Sequence, residues 1–400
     1  MAGRLLRREH LRVLFVSPDY PPDVVGGIGP YTAEVAPQLA DRGHEVHVLC
    51  CRQGEHNEDE THGAVTVHRR GWRDTPGRGL ITRAPEATLR WRNALETRRH
   101  IRSLGHFDAI EVPDWKAFGA FLPRGIPLVL HLHMPLRVHA EYEPEFTDWD
   151  VTCSDLIERR AVPKALVVTC PSNLLADRVR NGPWKIGTDI RIVRHAISPL
   201  PWQQAGPVAT TPPTVLFVGR LEPRKAPDLL IEGAAKLLER VPDLNVVFAG
   251  AETNTAKGLE FARSLRVSSE RLGVPCTFAG KQSREELVGW HARARLAVIP
   301  SRFDNFPMTG LEALAAGRPL VVSDQVGLAE IIGDAGAVFP SGDPDALAAA
   351  MLPYLLDPVA AGRAGARAQV LARDNFSPQK IAAGRERCFA EAAALVSSPT

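Results

Sequence analysis

Residues 296–323 read LAVIPSRFDNFPMTGLEALAAGRPLVVS, and this stretch decides the predicted fold. An apolar run at 296–300 leads into a polar loop and then into a short helical segment that is closed by Gly317. A second apolar run follows at 319–322. Two buried strands joined by a helix are typical of a βαβ unit in a parallel sheet. The stretch therefore predicts an α/β protein.

The same alternation of apolar runs and helical segments continues along the whole chain. The first half predicts strands at 12–17, 45–50, 64–68, 109–112, 128–133 and 165–169, with helices at 29–42 and 84–103. The second half predicts strands at 214–218, 245–249, 277–279, 296–300, 319–322 and 337–339, with helices at 226–240 and 284–292. Each series is typical of a doubly wound parallel sheet.

Two domains follow from the length of 400 residues, because single cores stop growing at roughly 250–300 residues. Five prolines between Pro199 and Pro213 indicate a linker. We predict two Rossmann-like domains facing each other across a cleft, an N-terminal one over 1–205 and a C-terminal one over 206–376. A last helix over 377–400 is expected to cross back onto the first domain.

The composition excludes several classes of protein. Lys and Arg total 48 against 46 Asp and Glu, which is too balanced for a protein that binds nucleic acid through bulk charge. Six cysteines make no disulfide framework. Since no segment approaches the ~20 apolar residues of a membrane-spanning helix, we expect a cytoplasmic protein. Its pI of about 8.3 permits loose contact with an anionic membrane.

The acidic segment 55–60 predicts a solvated loop.

Two segments could bind phosphate. Gly26, Gly27 and Gly29 precede a predicted helix, whose free N–H groups and dipole attract anions, although a turn with positive φ is an equal alternative. Residues 219–226, GRLEPRKA, put three cations at the mouth of a parallel strand beside a helix start. This second segment predicts a diphosphate site, with a solvated basic loop as the alternative.

Other side chains could serve either chemistry or structure. Asp304 and Glu312 could address two parts of one ligand, or act as a loop acceptor and a helix-surface charge. Asp148 and Asp150 form a DxD pattern, but away from a strand end, which disfavours a metal site. His131, His133 and His139 lack an evident carboxylate partner, which favours one catalytic and one packing histidine over a metal triad. We therefore predict no metal and no cofactor.

Three motifs occur in a fixed order: GGIG at 26–29, GRLEPRKAP at 219–227 and the run SRFDNFPMTGLEALAAGRPLVVSD at 301–324. Together they resemble the retaining glycosyltransferases of family 4, which have the GT-B fold, and the likeness covers roughly residues 11–390. The resemblance implies a metal-independent, retaining transfer of a hexose-type unit from a UDP- or GDP-linked sugar to an acceptor hydroxyl. The N-terminal domain would bind the acceptor, and the C-terminal domain the donor.

Residue roles follow from the resemblance. Catalytic roles are implied for His133, Asp304, Lys225 and Arg220. Donor contacts are implied for Gly26, Gly27, Gly29, Arg220, Lys225, Lys281, Asp304, Asn305, Phe306, Pro307, Met308, Thr309 and Glu312. Acceptor contacts are expected from Asp19, Tyr31, Trp115 and the stretch 72–79. Arg224, the middle cation of its loop, is expected to face solvent. Two positions depart from the family pattern and bear on the donor sugar: Asp304 is shorter than the usual Glu, and Pro307 has no N–H to donate.

Three other functions remain open from the sequence. A nucleotide-sugar epimerase or hydrolase would use the same donor contacts, and a non-catalytic nucleotide-sugar sensor would bind the donor without turnover. A nicotinamide oxidoreductase is disfavoured because its fingerprint places an acidic residue at the end of the second strand. Here that strand is followed by Cys51 and Arg52.

Overall fold

The computed structural model describes residues 10–22, 26–53, 57–72, 84–143, 148–186, 189–208, 212–253 and 255–397. The chain divides into two compact units, Met1–Ala196 with Pro378–Thr400, and Ile197–Ser377. Both are α/β domains, as the alternating sequence pattern predicts.

The domain boundary lies earlier than the predicted one after residue 205. Trp202 is 1% exposed, and its ring lies 5.7 Å from that of His291 in the second domain. The buried Arg318 donates hydrogen bonds to the carbonyl oxygens of Ala205, Gly206 and Pro207. The proline-rich segment therefore belongs to the second domain, because its backbone carbonyl oxygens accept hydrogen bonds from the buried Arg318 guanidinium.

The first domain is built on an eight-stranded sheet with the order β3-β4-β2-β1-β5-β6-β7-β8. Its strands are β1 (Arg12–Ser17), β2 (Glu45–Gln53), β3 (Glu58–His62), β4 (Val65–Trp72), β5 (Ala109–Pro113), β6 (Leu128–His131), β7 (Val167–Cys170) and β8 (Ile190–Ile192). Its helices up to the boundary are α1 (Ile28–Asp41), α2 (Pro85–Leu104), α3 (Leu136–Ala140), α4 (Asp148–Glu158) and α5 (Asn173–Arg180). All neighbouring strands are parallel except β3 and β4.

Strand β3 corrects the prediction of a solvated loop over 55–60, because residues 58–60 pair antiparallel with β4 at the sheet edge. The charges that suggested a loop are matched by cations on the neighbouring strand. Glu60 binds Arg69, and Asp59 lies 2.6 Å from an Arg70 guanidinium nitrogen. Opposite charges on paired strands stabilise the pairing, and charged side chains suit an edge strand.

The second domain has a fully parallel sheet with the order β11-β10-β9-β12-β13-β14. Its strands are β9 (Thr214–Val218), β10 (Asn245–Ala249), β11 (Cys276–Gly280), β12 (Leu296–Ile299), β13 (Leu320–Ser323) and β14 (Gly336–Phe339). Its helices are α6 (Leu200–Gln203), α7 (Pro227–Ala235), α8 (Ala256–Leu272), α9 (Arg284–Arg293), α10 (Met308–Ala315), α11 (Pro344–Leu356) and α12 (Pro358–Phe376). The central strands are buried on both faces, which is why they read as continuous apolar runs.

The strand order reverses once in each sheet. In the first domain the reversal lies between β1 and β5, and in the second between β9 and β12. Crevices that bind ligands in open α/β sheets form outside the carboxyl ends of the strands at such a reversal. The loops that follow these four strands are therefore the places to examine for chemistry.

The last helix, α13 (Pro378–Ser397), packs with the first domain and inserts a charged residue into its core. Arg385 is fully buried and donates hydrogen bonds to Glu111 Oε2 at 3.0 Å and to Thr169 Oγ1 at 2.7 Å. Its guanidinium also lies 2.9 Å from His131 Nε2 and over the ring of Tyr31. Strands β5, β6 and β7 are thus joined to α13 through one side chain.

Removing the guanidinium should leave Glu111 charged and unpaired in the core. We expect Arg385→Met to lower the free energy of unfolding by about 3–5 kcal/mol, measured by urea denaturation. Arg387→Met, at an exposed position of the same helix, should change it by less than about 0.5 kcal/mol. Adding Glu111→Leu to Arg385→Met should recover much of the loss. Equal stability of Arg385→Met and wild type would mean that apolar contacts alone hold the helix.

Candidate active site

The loops that follow β9 and β12 meet at the reversal point of the second sheet. The backbone N–H of Arg302 donates to the carbonyl oxygen of Arg224 at 2.8 Å, which joins the two loops directly. The Arg302 guanidinium also binds both carboxylate oxygens of Asp228, at 3.0 and 2.6 Å. The GRLEPRKA loop therefore has a fixed position relative to the loop that carries Asp304.

Lys225 and Asp304 are brought together by these loops. The Lys225 ammonium donates to the Asp304 carboxylate, and the two side chains are 17% and 9% exposed. Burial lowers the pKa of Lys225, an effect that the negative charge of Asp304 opposes. The pair places a cation and a carboxylate at the carboxyl edge of the sheet, where each retains a small exposed surface.

Arg224 is buried, which contradicts the prediction that it faces solvent. Its side chain is 5% exposed, and its guanidinium binds Glu222 at 2.5 Å and the carbonyl oxygen of Phe303 at 3.0 Å. Glu222 in the same loop and the Phe303 carbonyl oxygen in the loop after β12 both accept from this cation, which the charge pattern alone could not reveal. Of the three cations, Arg224 thus holds the loop together and is the least available to a ligand.

The remaining donor candidates differ in exposure. The Arg220 side chain is 49% exposed and lies 3.0 Å from Glu222. Lys281 is exposed in the loop after β11. Asn305 and Phe306 are buried, whereas Thr309 and Glu312 are half-buried on α10. Pro307 precedes the helix and Met308 begins it, so the Met308 and Thr309 N–H groups belong to a first turn that lacks intrahelical acceptors.

The glycine loop of the first domain lies after β1. Gly26 and Gly27 are exposed, and the Gly26 N–H donates to Asp19 Oδ2 at 2.8 Å. A side chain at Gly29 would place Cβ 2.3 Å from Asp19 Oδ1, so only glycine fits there. None of the three adopts a positive φ. Glycine is needed at position 29 for close approach to Asp19, which the alternative of a positive-φ turn does not explain.

Three histidines cluster at the carboxyl edge of the first sheet: His131, His133 and His195, whose ring nitrogens lie within 4.8 Å of one another. His195 takes the place that the sequence suggested for His139. Burial lowers the pKa of His131 and of His133 well below the usual value, and the Arg385 cation lowers both further. The Arg385 guanidinium, 2.9 Å from His131 Nε2, would repel a metal cation bound to these histidines.

The expected acceptor residues have different environments. Tyr31 is 1% exposed and donates its hydroxyl hydrogen to Glu111 at 3.0 Å, so it offers no surface to an acceptor and instead packs against the histidines. Trp115 is half-buried, with the Arg90 guanidinium 5.5 Å from its ring, and stays a candidate. Of the stretch 72–79, residues 73–79 lie outside the described residues.

Asp114 is a site residue that sequence reasoning passed over. It directly follows β5, at the reversal point, and is 1% exposed. Its Oδ1 accepts hydrogen bonds from the N–H groups of Trp115 and His133, both at 2.8 Å, while its Oδ2 finds no partner among the described residues. Burial raises the pKa of Asp114 to about 7, and the nearby Glu158 adds to the rise. The sequence feature that could have pointed to Asp114 is its place as an acidic residue directly after a buried strand.

The DxD pattern has a structural use. Asp150 is buried, and its two oxygens accept hydrogen bonds from the N–H groups of Glu86 and Ala87 at 2.9 and 2.8 Å. These donors lie in the first turn of α2, where a carboxylate is favoured by the helix dipole. Asp150 thus caps a helix, whereas Asp148 is exposed at the start of α4.

Two family models match the chain in succession. Residues 25–199 match "Glycosyltransferase Family 4", and residues 201–370 match "Glycosyl transferases group 1". The chain belongs to glycosyltransferase family 4. The resemblance seen in the motifs is therefore confirmed, and the protein is a glycosyltransferase. Across the described residues, no helix has the length and apolar character to cross a membrane.

Proteins similar to this chain are named for different activities. The chain is 29% identical to a glycogen synthase of Mycobacterium tuberculosis, over 95% of this chain and 94% of that one. It is 27% identical to a D-inositol 3-phosphate glycosyltransferase of Kribbella flavida, over 89% of both. The sucrose-phosphate synthase of Thermosynechococcus elongatus superposes with a TM-score of 0.77 at 20% identity, covering 97% of this chain and all of that chain. These matches confirm the GT-B fold.

The raised pKa of Asp114 predicts a pH dependence of stability. Because the folded state binds this proton up to about pH 7 and the unfolded state releases it near pH 4, the carboxyl group destabilises the fold increasingly across that window. Asp114→Asn should match wild type below about pH 4 and become more stable than wild type as pH rises, by up to about 4 kcal/mol near pH 7. Urea denaturation at several pH values measures the difference. A constant difference between the two proteins would contradict the raised pKa.

Proposed function

We propose that this glycosyltransferase moves a hexose from a nucleoside diphosphate sugar to an acceptor hydroxyl, with retention of configuration and without a metal. The observation that carries the proposal is the position of Lys225, Arg220 and Asp304 at the reversal point of the second sheet. Fixed cations at that edge suit a diphosphate, whose negative charge grows as the glycosidic bond breaks.

Lys225 and Arg220 would bind the diphosphate. Both follow β9, Arg220 is half-exposed, and Arg224 holds the loop that presents them. The free N–H groups at the start of α10 would add dipoles toward the donor. Interactions that strengthen as the leaving group gains charge lower the barrier more than they improve ground-state binding.

Asp304 and Glu312 would bind different parts of the donor. Glu312, half-buried on α10, would accept hydrogen bonds from the ribose hydroxyls, as the family resemblance implies. Asp304, held by Lys225, would face the sugar. When the diphosphate draws the Lys225 ammonium toward itself, the Asp304 carboxylate becomes free to accept hydrogen bonds from sugar hydroxyls.

His133 would lie beside the transferred sugar as a neutral ring. Its depressed pKa keeps a positive charge away from an anomeric carbon that itself becomes positive. In the proposed step the bond between the anomeric carbon and the diphosphate oxygen breaks while the acceptor oxygen bonds on the same face. The acceptor proton then passes to an oxygen of the departing diphosphate. Trp115 and Asp114, which follow β5, would contact the acceptor.

Two solved structures support a UDP-linked donor. The Anabaena protein HepE is described in complex with UDP and glucose, and E. coli trehalose-6-phosphate synthase is described with UDP-2-fluoro glucose. Both align with over nine-tenths of this chain, at TM-scores of 0.67 and 0.69. A panel of nucleotide sugars, scored by thermal stabilisation, identifies the donor because a ligand that binds only the folded state raises its stability.

The diphosphate contact is tested at Lys225. A charge-assisted hydrogen bond contributes about 1.5–3 kcal/mol, so Lys225→Ala should lower kcat/KM by at least about tenfold. Affinity for the nucleoside diphosphate should fall in calorimetry, while affinity for the bare nucleoside stays unchanged. Lys236→Ala, an exposed lysine just after α7, is the matched control. Undiminished diphosphate affinity in Lys225→Ala would exclude this donor site.

Metal independence is tested by chelation. Because Lys225 and Arg220 would supply the charge that a divalent cation supplies elsewhere, we expect transferase activity to remain within about twofold of its initial value after EDTA treatment and desalting. Loss of activity that manganese restores would contradict the mechanism. Asp148→Asn should then be examined, since Asp150 already binds two backbone N–H groups.

A further inference from the structure

The exposed apolar side chains of the first domain are concentrated on two helices. Trp91 and Leu95 on α2 are 50% and 43% exposed, and Trp149 and Leu156 on α4 are 67% and 53% exposed. Among the described large hydrophobic residues of this domain, the remaining exposed ones are Leu395 and Val396 near the end of α13. Apolar side chains grouped in this way on a folded surface indicate an interaction site.

The apolar pair on α2 continues into arginine along the same helix face. Positions 91, 95, 98 and 102 fall on that face, because spacings of three and four residues return to the same side of a helix. Trp91 and Leu95 are thus followed by Arg98 and Arg102. Arg160 lies just past the end of α4, in the short helical segment Arg159–Lys164.

Phe121 contacts both the apolar face of α2 and the segment that follows α4. The Trp91 ring packs edge-on against the Phe121 ring at 4.5 Å, and the Arg160 guanidinium lies 5.7 Å from the same ring. The Lys164 ammonium donates to the carbonyl oxygen of Ala120, beside this aromatic pair. We call the surface formed by Trp91, Leu95, Phe121, Arg98, Arg124, Arg160 and Lys164 the aromatic-basic face.

The cations of this face lie close together. Burial lowers the pKa of Lys164 to about 8, and Arg160, Arg124 and Arg98 lower it further by repulsion. Most carboxylates of the two helices already have partners, with the exposed Asp148 as the exception. Glu86 and Glu158 bind Arg90, Glu96 lies 3.5 Å from Arg99, Asp150 caps α2, and Asp155 accepts from Trp184. Among the described residues of these two helices, Asp148 is therefore the one acid left to offset the four cations of the face.

We propose that the aromatic-basic face docks the first domain on an anionic lipid bilayer. Trp side chains favour the boundary between headgroups and acyl chains, and Arg and Lys extend from apolar surroundings to reach anionic headgroups. An acidic protein would match the cations but leave Trp91 and Leu95 without apolar partners. The buried Arg90 lies on the inner side of α2, with its guanidinium 5.5 Å from the ring of Trp115, the candidate acceptor residue of the same domain.

Vesicle sedimentation of the full chain tests this proposal without depending on transferase activity. The protein should sediment with phosphatidylcholine vesicles that contain phosphatidylglycerol, and not with phosphatidylcholine alone. Binding should disappear between about 0.1 M and about 1 M salt, as the Debye length falls from ~10 to ~3 Å. Protein that stays in the supernatant with the anionic vesicles at about 0.1 M salt would overturn the proposal.

Two double variants test the basic residues and the apolar residues of the face separately. Each basic residue near an anionic surface contributes about fivefold to partitioning, so Arg124→Glu with Arg160→Glu should reduce it by at least about tenfold. Trp91→Ser with Leu95→Ser should reduce it by about tenfold and leave its salt dependence unchanged. Arg240→Glu with Val370→Ser, an exposed cation and an exposed apolar residue of the second domain, is the matched control.

Circular dichroism and thermal unfolding establish that each variant is folded, and Arg124→Gln with Arg160→Gln replaces the charge-reversed pair if that pair unfolds. Wild-type partitioning in both arginine and aromatic variants would overturn the proposal. Binding of soluble polyglutamate, lost in Arg124→Glu with Arg160→Glu, together with no binding to vesicles would assign the face to an acidic macromolecule instead.

Discussion

The Arg385 guanidinium is the group on which the first domain depends. It satisfies Glu111, Thr169 and His131 in the interior, and these residues come from three neighbouring strands. These contacts hold the ends of the three strands together, because breaking a buried ion pair leaves an uncompensated charge in the core. Burial lowers the pKa of His131 and of His133, and the Arg385 cation lowers both further. The last helix therefore affects the protonation of two histidines of the candidate site through this one side chain.

The two domains share one architecture but organise charge in opposite ways. At its reversal point the second domain presents cations, with Arg224 buried to hold the loop while Lys225 and Arg220 keep exposed surface. At the reversal point of the first domain lies Asp114, a carboxyl group whose pKa is raised to about 7 by burial. His131 and His133 lie at the end of the neighbouring strand β6 and just after it, and burial lowers the pKa of both. Strand order explains where Asp114 and the cations lie, and burial explains the pKa shifts of the carboxyl group and of the two imidazoles.

The sequence predicted the parallel strands well because strands buried on both faces must be apolar throughout, and β1, β9 and β10 have the predicted bounds. It failed where a charge is balanced by a distant partner. Residues 58–60 looked like a loop because the cations that pair with them, Arg69 and Arg70, lie on another strand, and Arg224 looked exposed because its acceptors include a carbonyl oxygen 79 positions away. Asp114 was missed because its environment depends on burial between elements. Sequence patterns indicate the secondary structure that a segment prefers. Protonation states and ion pairs depend instead on contacts between residues that are distant in the sequence.

The first domain is discontinuous in the chain: it stops at Ala196 and resumes at Pro378, while the second domain is one uninterrupted stretch. During synthesis from the N-terminus, all of the second domain is translated before Arg385 is added to the chain. Until then the nascent first domain has Glu111 in its interior without the guanidinium that balances it. The domain whose synthesis begins first is therefore the domain that completes its folding last. A message truncated before the final helix yields a complete second domain attached to an incomplete first one.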